Sequence, residues 1–238
     1  MNLNSIYRTL VAQMCVIHEK WSQVNLTQEF TDFNCFLYAL PLLKLIPTRF
    51  AEWILIKLQC LFVDYVGYRH QSKTFGGFLE NRAALIGFLE DETANMVHLG
   101  IDINNICPGS AISVPCNVRV VHVMKDATAL NGWGGRIIMK MVTDYQNCPY
   151  LLYGHLSFDG LPKAGDIFQK NDVIAKLGTP NENGGWFPHL HVQCLTQRFF
   201  DEFKDKLDDL DGYALGQSHH LASHDYVSDP TDLMFKTN

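Results

Sequence analysis

Apolar and polar residues change rhythm about a third of the way along this chain. Ile6, Leu10, Met14, Ile17 and Trp21 recur at intervals of three to four, which predicts an amphipathic helix over 6–21. Thr27 offers an N-cap for a second helix, and Phe30, Phe33, Phe36 and Leu37 continue it until Pro41 and Pro47 interrupt. Residues 50–66, FAEWILIKLQCLFVDYV, predict a third and strongly apolar helix in which Glu52, Lys57 and Asp64 are the polar punctuation. A helix of that kind packs on its own domain or lies on a membrane surface, and packing is the commoner outcome. From about residue 96 the spacing turns to short β-type runs: 97–103, 117–124, 135–142, 150–157, 172–178 and 188–195. Glycines and prolines fall mostly between them or at their edges, as turn residues do.

The expected architecture is therefore α+β: a mainly antiparallel β core, an added α-helical N-terminal segment and a short C-terminal helix. The boundary falls between a helical cap at 1–73 and a β-sheet domain at 74–238. An acidic stretch, FFDEFKDKLDDL from 199, reads as the C-terminal helical piece, followed by a polar loop with Gly212 and Gly216 and a tail ending in DPTDLMF.

Composition narrows the function classes. The chain has 238 residues, 47% hydrophobic and 18% charged, enough to bury a real core. With 19 Lys and Arg against 25 Asp and Glu, the net charge of −6 disfavours a surface that tracks phosphates, so no nucleic-acid partner is expected. The longest stretch free of charged residues, 103–118, contains two prolines and is too short for a transmembrane segment. Seven cysteines without C-x-x-C spacing indicate neither a full disulfide framework nor a thiolate zinc site. The N-terminus has one early positive charge, a broken apolar run and no small-x-small cleavage site. A cytoplasmic protein with reduced thiols is the expectation, with export by a non-standard route as the alternative.

Ten histidines carry the chemistry. His189 and His191 are two apart in a β-type run, so on a strand both imidazoles share one face while Leu190 and Val192 take the other. That places two metal-ligand side chains together, although two surface histidines would give the same pattern. His98 and Asp102 alternate with Leu99 and Ile101 in the same way. A straight strand would hold their Cα atoms ~13 Å apart, too far for one ion, but Gly100 permits the bend that would close the gap. A buried His–Asp hydrogen bond is the simpler account of that pair. His155 lies on a third apolar run, where a histidine is ordinarily a satisfied core residue, and Tyr153 two before it is expected on the same face as an oxyanion or substrate donor. Together His98, Asp102 and His191 supply two neutral nitrogens and one carboxylate, a set that suits a catalytic zinc with an open fourth position.

H-x-x-x-D at 98–102, Gly154-His155 and Pro188-His189-Leu190-His191, in this order, resemble the lysostaphin and LytM family of zinc metallopeptidases. The resemblance extends from about 96 to 195 through Pro115 with NVRVVHV, Trp133-Gly134-Gly135-Arg136, Gly165-Asp166-Ile167 and Ile174 to Gly178. It implies one zinc ion per chain, held by His98, Asp102 and His191. It makes His155 and His189 catalytic residues that orient the water, take its proton or stabilise the oxyanion. The implied reaction is hydrolysis of a peptide bond by metal-activated water, as an endopeptidase or amidase, on a peptide or peptidoglycan fragment.

The chain also departs from that pattern. Where peptidoglycan-cleaving members carry a small Ser/Thr/Gly-rich turn before the last histidines, this sequence has Asn181 to Phe187 with Trp186 and Phe187 adjacent. Gly184-Gly185-Trp186, Leu79 to Arg82 and Asp229-Pro230 look more like the peptidase-like domain found between a kinase-like and an aminotransferase domain in fusion proteins. The competing readings are a non-catalytic binding or regulatory module of the same type, or an exported effector. A second histidine cluster, His219, His220 and His224, sits in a polar stretch and reads as a solvated loop rather than a second metal site. Trp133 and Trp186 either line a cleft or cover packing beside glycine turns.

Overall fold

The run from 148 to 156 is apolar on both faces because both of its faces are covered. In the computed structural model, which describes residues 21–26, 28–29, 58, 60–67, 69–70, 72–82, 96–128 and 132–236, it forms the central strand β8 (Cys148–Leu156), buried along its whole length. Leu151 and Tyr153 pack on one side of the sheet with Ile137, Met139, Val192 and Cys194. Tyr150 and Leu152 pack on the other with Ile138, Leu195, Phe199 and Leu210.

Each of the six expected runs contains a strand. They are β3 (Val97–His98) with β4 (Ile101–Ile103), β6 (Val118–Asp126), β7 (Gly134–Tyr145), β8, β10 (Val173–Lys176) and β11 (Leu190–Leu195). Shorter strands complete the set: β1 (Trp21–Gln23), β2 (Lys73–Gly76), β5 (Ala111–Ser113), β9 (Ile167–Phe168), β12 (Tyr213–Ala214) and β13 (Val227–Ser228). The main sheet has nine strands in the order β1-β2-β4-β11-β8-β7-β6-β9, with β13 against β11, and two small sheets pair β10 with β5 and β12 with β3. The pairing is antiparallel except between β1 and β2.

The helices expected over 6–21 and 27–37 lie almost wholly outside the described residues. Trp21, read as the last apolar residue of the first, stands instead in β1, where pairing with Lys73 sets its backbone. Of the third helix, residues 60–66 are helical, and Cys60, Phe62, Val63 and Val66 bury against Val24, Leu26 and Phe187. This helix packs on its own domain, sharing a buried cluster with Phe187 of the loop that leads into β11. Among the described residues no helix is long and apolar enough to cross a membrane. The acidic C-terminal stretch forms a helix at Gln197–Phe203, capped by the Thr196 hydroxyl accepting from Phe199 N, then a 3-10 turn at Leu207–Asp209. His219 and His220 are exposed as expected, but on a 3-10 helix, Gly216–Leu221, rather than an irregular loop. Cys116, Cys148 and Cys194 are free thiols, whereas Cys107 is disulfide-bonded, so the expectation of reduced thiols fails there.

Candidate metal centre

Three neighbouring strands and one bend build the site. β4 and β11 are antiparallel with His191 opposite Asp102, and β11 and β8 are antiparallel with His191 opposite Gly154. The chain leaves β3 at His98, crosses Leu99 and Gly100, and enters the main sheet at Ile101. Gly100 allows this because β11 passes so close that a Cβ there would lie 2.2 Å from Val192 O. The bend converts the ~13 Å reach of a straight strand into a 3.4 Å gap between His98 Nε2 and Asp102 Oδ1.

His191 Nδ1 completes the group, 3.0 Å from His98 Nε2 and 3.2 Å from Asp102 Oδ1. A tetrahedral ion bonded at about 2.0–2.1 Å holds its ligand atoms about 3.3–3.4 Å apart, close to these three separations. His189 Nε2 lies 3.5 Å from the same Asp102 oxygen, and the His155 and His189 rings are 4.3 Å apart between centroids. The five side chains expected at the site are thus brought to one place, and all are buried. His98, Asp102 and His191 are the one set among the described residues whose donor atoms converge closely enough for a metal ion.

Backbone carbonyls decide which ring nitrogens are bare. His98 Nδ1 donates to Gly77 O at 2.9 Å, His155 Nδ1 to Asn183 O at 3.0 Å and His189 Nδ1 to Phe187 O at 2.7 Å. A neutral imidazole whose proton sits on Nδ1 presents a lone pair at Nε2. Lone pairs of His98 and His189 therefore face the Asp102 carboxylate, an arrangement that repels unless a cation lies among them. His191 Nε2 is buried and has no hydrogen-bond partner among the described residues, which fits a ring whose Nδ1 is reserved for the cluster.

Protonation follows from burial and neighbours. His98 is pushed down to about 3 by burial, reinforced by the Arg82 charge. His155 falls well below its ordinary value through burial and then through His189 and His191, and His189 is lowered chiefly by burial. Burial alone would raise Asp102, but His98, Arg82 and His189 outweigh it and hold the carboxyl well below the usual range. His98, His155 and His189 are neutral and Asp102 is ionised at pH 7, the states in which imidazole and carboxylate ligate a metal.

Stability inherits this. Between pH 6.5 and about 3 the unfolded chain binds a proton at His98 that the folded chain excludes, so stability is intact above 6.5 and is lost as pH falls through that window. Each imidazole kept neutral contributes a slope approaching about 1.4 kcal/mol per pH unit. The melting temperature of metal-free protein is expected to fall continuously from pH 7 to pH 4; a flat profile would contradict the buried neutral cluster.

Several solved structures are similar to this one. Many of them are peptidases of the lysostaphin and LytM type. A zinc-containing peptidase from Vibrio cholerae is 24% identical over 41% of this chain and 26% of its own, with a TM-score of 0.33. The catalytic domain of lysostaphin from Staphylococcus simulans is 20% identical, over 59% of this chain and 80% of that domain, with a TM-score of 0.38. A mutant catalytic domain of the prophage-encoded M23 protein EnpA from Enterococcus faecalis is 20% identical, over 42% and 69%, with a TM-score of 0.35. The chain spans about a quarter of the Vibrio cholerae peptidase. No family model matches the sequence, and no curated protein does.

One sequence expectation is corrected at the site. Tyr153 does not share the His155 face: its hydroxyl donates to Ser113 O at 3.2 Å inside the core. Strict alternation fails because the β7–β8 register shifts between Gly135 and Ile137, and His155 adopts φ 61, a left-handed conformation unusual for a non-glycine residue. Trp133 and Trp186 prove to be part of the site wall. Trp133 lies over His155, with ring centroids 5.9 Å apart and planes 24° apart, and meets His191 edge-on, while Trp186 meets the edge of His155 at 6.4 Å.

Other residues at the site carried no periodic signal. Tyr213 lies 5.1 Å from the His98 ring, and Gly212 passes so close that a Cβ would sit 3.2 Å from His191 Cε1. This segment is strapped down by Leu99 N to Gly212 O at 2.8 Å and by Trp133 Nε1 to Leu210 O at 2.9 Å. Arg136, buried in β7, bonds Leu207 O and Leu210 O beside it. Arg82, quoted above only as part of a resemblance, bonds Asp102 directly.

Proposed function

We propose that this chain is a zinc-dependent metallo-endopeptidase or amidase that hydrolyses a peptide bond without a covalent enzyme intermediate. The observation that carries the reading is the convergence of His98 Nε2, Asp102 Oδ1 and His191 Nδ1 within 3.0–3.4 Å of one another. These three atoms would hold the ion. When bound, zinc supplies the Lewis acidity that brings the pKa of a water to ~7 and draws charge from a carbonyl oxygen.

His189 and His155 do the proton work. Both present bare Nε2 atoms, and His189 lies at the carboxylate edge of the cluster. Two rings 4.3 Å apart in a buried pocket resist carrying two charges. They therefore carry at most one added proton between them: one ring takes it from the attacking water, and the pair delivers it to the leaving amine. A protonated ring also donates to the developing oxyanion. Trp133 and Trp186 flank His155 and form an apolar wall for the residue next to the scissile bond. The proposed substrates are peptidoglycan-type or other short peptides.

A second reading, a binding or regulatory module that retains the metal, is favoured by one observation: even His155, the most exposed of the five, shows only 7% of its surface. Zinc-loaded protein incubated with muropeptides and Gly-rich peptides decides between them. The enzyme reading expects new primary amines by mass spectrometry that a chelator abolishes. Intact peptides alongside bound zinc would favour the module.

A further inference from the structure

Asp102 has two carboxylate oxygens, and only Oδ1 faces the histidines. Oδ2 is bonded by Arg82 Nη1. The guanidinium is buried, its Nε donates to Glu80 Oε2 at 3.2 Å, and Nη1 lies 3.5 Å from the Tyr213 hydroxyl. Burial alone would lower its pKa, but Asp102, Tyr213 and Glu80 hold it fully protonated. Its backbone is laced to the strand that bears His98: Arg82 N donates to Met96 O at 2.8 Å, Leu79 N to His98 O at 2.9 Å, and His98 N to Glu80 O at 2.9 Å. Gly77, at φ 102, lies against both groups, since a Cβ there would meet Arg82 Nη2 at 2.1 Å and His98 Nδ1 at 2.9 Å. The loop that orients His98 through Gly77 O thus also seats Arg82.

We propose that Arg82 is a positioning residue that keeps Asp102 a one-oxygen ligand. The proposal rests on the metal-centre reading above. A carboxylate with both oxygens free swings readily to two-oxygen ligation, the habit of larger, oxygen-preferring cations. With Oδ2 engaged in a charge-assisted bond, Oδ1 alone is presented to the ion, and its direction is set by a planar fork anchored at Glu80. The positive charge also offsets that of the acid, so the bound ion keeps more of its own. A lysine reaches one of these acids as a point charge but does not span both.

The test uses the full chain and its Arg82→Met, Arg82→Lys and Glu80→Gln variants. Two quantities are read: the zinc dissociation constant by chelator competition, and the visible absorption of the Co2+-loaded protein, which weakens as coordination expands beyond four. Arg82→Met is expected to raise the zinc dissociation constant about 10–100-fold and to weaken the cobalt bands. Arg82→Lys is expected to recover part of the affinity without the spectrum. Should Arg82→Met fail to fold, Glu80→Gln, which loosens the anchor and retains the cation, carries the test with a smaller shift in both readouts. An unchanged cobalt spectrum in the folded variant overturns the proposal, whether or not affinity has fallen, because affinity loss alone reports general loosening. Absence of zinc binding by the unsubstituted chain overturns the metal centre instead.

Discussion

Alanine at His98 is expected to take the protein from about one bound zinc per chain to almost none, with loss of all peptide cleavage. Apparent zinc binding of about 10–16 kcal/mol over four ligands is roughly 3–4 kcal/mol for each, so removing one donor weakens affinity on the order of 10²–10³-fold. His98 is a cleaner choice than Asp102. Removing Asp102 would leave Arg82 buried beside one fewer acid, a loss of about 3–5 kcal/mol that could empty the site by unfolding the chain. Metal analysis and a melting curve on the same sample separate the causes. A folded His98→Ala protein that retains a full complement of zinc would remove the proposed centre.

The second large effect is expected at His189, with the opposite metal result. His189→Ala should keep its zinc, because the three converging donors are untouched. Its kcat should fall about 10²–10⁴-fold, the usual contribution of a positioned acid–base group. KM should change little, since the lost interaction belongs to proton transfer rather than to substrate binding. Rates of amine release and metal content measured side by side check this. A rate within tenfold of the unsubstituted protein, with zinc retained, would assign the proton to another group.

Much of this site was legible in local pattern. Alternation in 188–195 places His189 and His191 on one face, and both do meet Asp102. Gly100 between His98 and Asp102 marks the bend, and the reason is visible in the backbone of β11 pressed against it. The apolar helix expected over 50–66 is legible too where it is described, since Cys60, Phe62, Val63 and Val66 of that apolar run are buried. The expectation for Tyr153 fails because alternation holds only while the register does, and a bulge between Tyr153 and Leu156 in β8 itself breaks it. Arg82, Gly212 and the carbonyls of Gly77, Asn183 and Phe187 left no pattern. They act through backbone groups or through a single long side chain, and neither has a period.

Sequence alone determined where strands, turns and potential ligands stand along the chain, because alternation and turn chemistry are properties of neighbouring residues. Only the tertiary structure decided which of them meet. Pairing of β4 with β11 sets His191 opposite Asp102, and pairing of β11 with β8 brings His155 alongside. Carbonyls of Gly77 and Asn183, distant in sequence, and of neighbouring Phe187 then turn the bare nitrogens inward. Such contacts depend on register between strands about 40 to 90 residues apart, which burial of both sheet faces selects and no local spacing encodes.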